Sequence, residues 1–304
     1  MQGRIKRGVT ALVALAAAAA LTVGSAGTGS AASSGSAAGS GSAAVASLRA
    51  YGITSDGKLM ATFTTDNPYE LNWVRRFNGL TNDTSVIGID FRVQDGKFYA
   101  VGNRGGIYTL KIPTNVGEEV VVTKVSQLSV ALNGTFFGVD FNPAADRLRV
   151  VSDTGQNLRH NLANHATVSD YSLSSAPGSP AIAGVTAAAY TNNDLNGATS
   201  TTLFDINTAS DQVVVQSPAN NGLLAPTGAL GRAAETNAGL DIYSDLSGGK
   251  TVSNSAFATL LVPNEEDGTI EATLNSVDLL TGTATHLGTL PLLITDIALA
   301  LDTN

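Results

Sequence analysis

Short apolar runs alternate with polar turns along most of the chain. The run Lys97-Phe98-Tyr99-Ala100-Val101 follows the turn Asp95-Gly96, Ile107-Tyr108-Thr109-Leu110-Lys111-Ile112 follows Gly105-Gly106, and a further run occupies residues 120–125. Such runs are rich in β-branched and aromatic residues, and between Asp-Gly or Gly-Gly turns they predict an antiparallel meander. Arg147-Leu148-Arg149-Val150-Val151 and residues 156–162 repeat the pattern, and no stretch beyond residue 46 carries a helical period.

The meander is itself repeated. Ile87-Gly88-Ile89-Asp90-Phe91 is echoed by Phe137-Gly138-Val139-Asp140-Phe141 and by Ala238-Gly239-Leu240-Asp241-Ile242. Ala183-Gly184-Val185-Thr186-Ala187 is a degenerate copy with threonine for aspartate, and Leu293-Ile294-Thr295-Asp296-Ile297 aligns without the glycine. The intervals are 50, 46, 55 and 55 residues, and a period near fifty with four strands per unit indicates propeller blades. Residues 47–85 hold three strand signals and residues 291–304 hold one, so the two ends together supply one more blade. The expected fold is all-β, a β-propeller of five four-stranded blades with one blade built from both termini, and six blades as the alternative. A β-solenoid would have a shorter period, and a β-sandwich gives no reason for Gly-x-Asp to recur.

Arg4, Lys6 and Arg7 precede an apolar run over residues 9–23, after which small residues follow at once. This layout predicts a secretory signal peptide over residues 1–26, with suitable cleavage positions continuing from 26 to 46. Residues 27–46 read as a Gly/Ser/Ala-rich linker, leaving a single domain over 47–304 that is secreted, lacks a membrane span once the signal is removed, and is expected to be a monomer. The chain has 304 residues and no cysteine, which excludes disulfides, thiolate zinc sites and iron–sulfur clusters. Its net charge is −8, from 17 basic and 25 acidic residues, and argues against nucleic acid as a partner. Removing residues 1–46 takes three basic residues and no acids, so 14 minus 25 leaves −11.

If the Gly-x-Asp strand lies innermost in each blade, Asp90, Asp140, Asp241 and Asp296, with Thr186, would stand at equivalent heights around the axis. Such carboxylates repel one another unless a hard cation such as Ca²⁺ neutralises them or backbone N–H groups bond them. The competing reading is structural: each Asp fixes a turn within or beside its own blade. A second oxygen-rich segment is Asn192-Asn193-Asp194-Leu195-Asn196-Gly197, where residues 192, 194 and 196 match the first half of a calcium loop. Leu203 stands at the twelfth position in place of the bidentate Glu, which favours a polar loop.

Other chemistry is weakly marked. The seven Glu residues lie in or beside polar turns, His160 and His165 form only a His-x₄-His pair, and His286 stands apart. Trp73, beside Arg75 and Arg76, could stack on a sugar, although a lone Trp more often fills the space between blades.

Several motifs together resemble a known family. They are Gly88-Ile89-Asp90-Phe91-Arg92 with Gly96-Lys97-Phe98-Tyr99, Gly138-Val139-Asp140-Phe141-Asn142-Pro143 with Asp146-Arg147-Leu148-Arg149-Val150, and Ala188-Ala189-Tyr190-Thr191-Asn192-Asn193. With Ser276-Val277-Asp278-Leu279-Leu280-Thr281-Gly282 and Ile294-Thr295-Asp296-Ile297-Ala298, the chain is similar to secreted bacterial proteins of domain of unknown function 4394. The resemblance implies a propeller-like secreted domain and brings no activity or catalytic residue. Two functions are therefore expected: a binding or interaction module for a carbohydrate or cell-envelope ligand, or a glycosidase-like hydrolase or lyase using the central aspartates, with Ca²⁺ as its candidate cofactor.

Overall fold

The computed structural model describes residues 47–303 except Glu265; the expected signal peptide and linker lie outside the described residues. The protein is all-β, built of several four-stranded sheets. Among the described residues the helical content is one 3₁₀ turn, Ala219–Asn221, and no helix is long and apolar enough to cross a membrane.

Each sheet is a meander. Strands β4 (Val86–Arg92), β5 (Lys97–Gly102), β6 (Gly106–Lys111) and β7 (Val120–Gln127) pair in order, as do β8 (Phe137–Asn142), β9 (Arg147–Ser152), β10 (Asn157–Asn161) and β11 (Ala166–Ser169). The next two sheets are β12 (Val185–Tyr190), β13 (Leu203–Asn207), β14 (Gln212–Gln216) and β15 (Leu224–Ala229), then β16 (Ala238–Ser247), β17 (Lys250–Pro263), β18 (Ile270–Val277) and β19 (Ala284–Leu290). At the ends of the chain, β1 (Arg49–Thr54), β2 (Leu59–Thr64) and β3 (Trp73–Asn78) are joined by the last strand, β20 (Ile294–Leu299), which pairs antiparallel with β1. The outer strands β3 and β7 touch in parallel over Phe77–Val120 and Asn78–Val121, which merges two meanders into one eight-stranded sheet.

Strands β4, β8, β12, β16 and β20 are the inner ones, and each packs on the next in a cycle, with β20 returning to β4. They are buried almost throughout, as strands covered on both faces must be. The apolar core is correspondingly divided into clusters lying between neighbouring meanders. Tyr99, Val101 and Ile107 meet Phe141, Leu148 and Val150 in one of them, and Phe63 and Ile297 meet Phe257 and Leu274 in another. Trp73 packs with Tyr51, ring centroids 6.4 Å apart, against the cluster between β1 and β4, so it fills a core. Two turns have the conformation their glycines demand: Gly96 has φ 63° and Gly105 φ 80°.

Candidate functional site

The recurrent aspartates lie where inner strands meet. Asp90 on β4 accepts the N–H of Phe91 at 2.6 Å through Oδ1, and through Oδ2 it accepts the N–H of Phe141 on β8 at 2.7 Å. Asp241 on β16 repeats this arrangement with Ile242 at 2.6 Å and with Leu299 on β20. Asp140 on β8 accepts from Tyr190 on β12, and its Oδ1 has no partner among the described residues. Asp296 on β20 accepts the N–H of Ile89 on β4 at 2.8 Å. Each carboxyl thus reaches across to the next inner strand and not to a turn of its own blade, which corrects the structural reading in its detail.

The glycine two residues before each of the first three aspartates makes that reach possible. A Cβ on Gly88 would stand 2.3 Å from Val139 Cγ2, and one on Gly138 would stand 2.5 Å from the backbone nitrogen of Ala188. Gly-x-Asp is therefore one device. Glycine admits the neighbouring strand, and aspartate latches onto its backbone.

Equivalent heights do not hold for all five predicted positions. The latches of Asp90, Asp140 and Asp241 fall on the N–H donors Phe141, Tyr190 and Leu299, so the residues preceding these donors, Asp140, Ala189 and Ala298, are the true equivalents. Asp296 lies two residues earlier, at the level of the glycines, and its own latch is correspondingly shifted to Ile89. Thr186 lies three residues before Ala189, at a β-bulge between Val185 and Ala187. Register shifts around Ile87 in β4 and Thr295 in β20 mark the same place in those strands. Counting back from Ala189, the residue that matches Gly88 is Ala187, so Gly184 lies three residues too early and aligning on it misplaced Thr186. Its hydroxyl is buried and has no hydrogen-bond partner among the described residues.

One carboxyl oxygen from each of Asp90, Asp140 and Asp241 lies within 4.8 Å of the others. Burial, and then the charges of its neighbours, push Asp90 and Asp140 well above the usual carboxylate range. Burial raises Asp296 in the same direction against its bond to Ile89, and raises Asp241 to about 6 against its two backbone bonds. Both oxygens of Asp90 and Asp241 are engaged by N–H groups, and three clustered oxygens fall short of the six to eight that Ca²⁺ takes. All four side chains are 3–6% exposed, so the arrangement presents no acid and base to a substrate in solvent. Its chemistry is that of buried carboxyls, biased towards the protonated form, pinning strands together.

The second candidate segment serves the seam that lacks a latch. Ala189 offers no carboxyl towards β16; instead Asn193 Nδ2 donates to Ile242 O at 3.1 Å, and its N–H donates to Ser244 Oγ at 2.8 Å. Asp194 Oδ2 accepts the Thr251 N–H at 2.8 Å, while Asn192 Oδ1 accepts from Asn254 Nδ2 at 2.7 Å. Asp194 Oδ1 and Asn196 Oδ1 accept the N–H groups of Asn196 and Ala198. The oxygens a cation would need are committed to the fold.

Two buried ionisable residues carried no sequence signal. Arg149, 2% exposed, contacts Asp170 at 2.7 Å, Asn157 at 2.6 Å, Asn220 at 2.8 Å and the Tyr190 hydroxyl at 3.2 Å. Asp205 on β13 is fully buried with no hydrogen-bond partner for either oxygen among the described residues, and burial raises it well above the usual range against the pull of Arg149. Strand periodicity hides both, because each occupies an inward position otherwise filled by apolar residues.

No curated protein matches the sequence significantly. Among solved structures the chain is similar to the WD40 domain of Toxoplasma gondii coronin, at 13% identity and a TM-score of 0.37 over 77% of this chain and 55% of that one. It thus spans about half the length of the coronin chain. It is also similar to the glutaminyl cyclase of Myxococcus xanthus, at 12% identity and a TM-score of 0.41 over 77% of this chain and 97% of that one. The family model described as Domain of unknown function (DUF4394) matches residues 59–298, and the chain belongs to that family.

Proposed function

We propose that the chain is a secreted, monomeric five-bladed propeller, one blade assembled from both termini, that binds a hydroxyl-rich ligand of the carbohydrate class outside the cell. The observation that carries this reading is a cavity of about 370 Å³ at the end of the ring where the inner strands begin. Thr54 and Asp56 come to it from the β1–β2 turn, Asn103 from the β5–β6 turn, Thr135 from the loop into β8, Asn237 from the residue before β16, and Thr295 from β20. Hydroxyls, amides and one carboxylate from four blades converge there, and fixed polar groups of this kind suit a polyol. Asp56 is held ionised by the Thr54 hydroxyl at 2.7 Å, and its pKa is lowered chiefly by that bond, so it offers an acceptor throughout the neutral range. The expected export signal and the acidic composition, with a net charge of −8, support a role outside the cell.

A glycan array probed with the full chain tests the reading. At least one glycan class should bind, and Asn237→Trp, which places a large side chain in the mouth of the cavity, should weaken that binding at least tenfold. An array without a hit, or equal binding by the variant, would overturn the site.

A further inference from the structure

The widely separated Ser126 and His160 meet between β7 and β10, and His165 joins them from the β10–β11 turn. Ser126 Oγ lies 2.8 Å from His160 Nε2 and 2.8 Å from His165 Nδ1, so two imidazole nitrogens converge on one oxygen. His160 is 1% exposed and Ser126 9%, whereas His165 is exposed and gives solvent access. His160 Nδ1 lies 2.9 Å from Thr167 Oγ1, which also accepts the Ser129 N–H at 2.9 Å. With His160 Nδ1–H donating to Thr167, Nε2 carries a lone pair aimed at Ser126, an orientation typical of imidazoles that bind metals.

We propose that His160 Nε2 and His165 Nδ1, with Ser126 Oγ, form a surface site for a nitrogen-preferring divalent transition ion such as Zn²⁺ or Cu²⁺. Two ligands at 2.0–2.1 Å stand roughly 2.9 Å apart at the right angle of tetragonal Cu²⁺ and roughly 3.4 Å apart at the tetrahedral angle of Zn²⁺. The observed N···O separations of 2.8 Å lie near the first edge and about 0.5 Å short of the second, so Zn²⁺ asks the exposed His165 to swing outward. The donors select its class: two imidazoles and a neutral hydroxyl suit Zn²⁺ or Cu²⁺ and disfavour Ca²⁺. The site is separate from the aspartate ring and from the cavity at the start of the inner strands.

Calorimetric titration of the full chain with Zn²⁺ alone, and Cu²⁺ electron paramagnetic resonance, test the proposal. One Zn²⁺ should bind per chain, and the Cu²⁺ spectrum should show coupling to two nitrogens. His165→Asn should weaken Zn²⁺ at least tenfold and remove one nitrogen coupling, whereas His286→Asn and excess Ca²⁺ should change neither. Asparagine is chosen because residue 165 has φ 58°, a conformation asparagine tolerates, and the variant's melting curve checks the fold. Absence of Zn²⁺ binding below millimolar concentration, wild-type affinity in His165→Asn, or equal loss in His286→Asn would each overturn the assignment.

Discussion

Asp90→Ala should destabilise the protein by about 3 to 5 kcal/mol, measured by urea unfolding, because it strips the acceptor from two backbone N–H groups at once. Those groups belong to Phe91, which is half-buried, and to Phe141 on the neighbouring inner strand, where the bond is fully buried. An unsatisfied buried donor costs more than an average hydrogen bond contributes, and here two are left. Asp90→Asn keeps the shape, but its amide group turns a donor towards one of the two N–H groups, so part of the loss should remain. Thr186→Val gives the contrast. Its hydroxyl is buried and unpartnered, so replacing it by a methyl group of the same shape should be neutral or stabilising. A cost below about 1 kcal/mol for Asp90→Ala would remove the latch as an explanation of the repeat.

The latch also explains what could be read from the sequence. Gly-x-Asp recurs because each inner strand must both approach its neighbour and bond to it, so a local motif carried long-range information. The strands were legible for the same reason: Lys97–Gly102 and Arg147–Ser152 alternate or run apolar between strong turn signals. Bulges are the point at which legibility fails. An extra residue at Thr186 or Thr295 has no signature of its own, and only the pairing of each strand with its own neighbour, β12 with β13 and β20 with β1, exposes the register they share. The role of Asn193 and Asp194 was hidden too, because their partners, Ile242, Ser244 and Thr251, lie 49 to 57 residues away. The meeting of Ser126 with two histidines depends in the same way on how neighbouring meanders face each other.

The ring of carboxyls should make the protein less stable as pH rises above the unfolded carboxylate value near 4. The sign follows from proton binding. Asp90, Asp140 and Asp296 have folded pKa values well above the unfolded value, and Asp241 is raised to about 6. Each therefore contributes stability that is complete below the unfolded pKa and is lost as pH climbs through the folded one, at about 1.4 kcal/mol per pH unit for each group still protonated in the native state. His160 acts in the opposite sense. Burial lowers it to about 4, so its contribution is present above the unfolded value near 6.5 and is lost as pH falls towards 4. Above about pH 7.5 His160 is neutral in both states and the contribution of Asp241 is spent, so a fall in stability there belongs to Asp90, Asp140 and Asp296. Thermal melts of the His165→Asn variant, which lacks a ligand of the proposed transition-metal site, should show a midpoint falling with pH that neither EDTA nor millimolar Ca²⁺ alters, because most ring oxygens already accept N–H bonds. A bound hard cation would reverse both signs: it would favour the ionised carboxyls, raise the midpoint with pH, and leave a drop on chelation. A midpoint that rises with pH and falls with EDTA would therefore turn the latch into a cation site, using the same three aspartates and the unpartnered Oδ1 of Asp140.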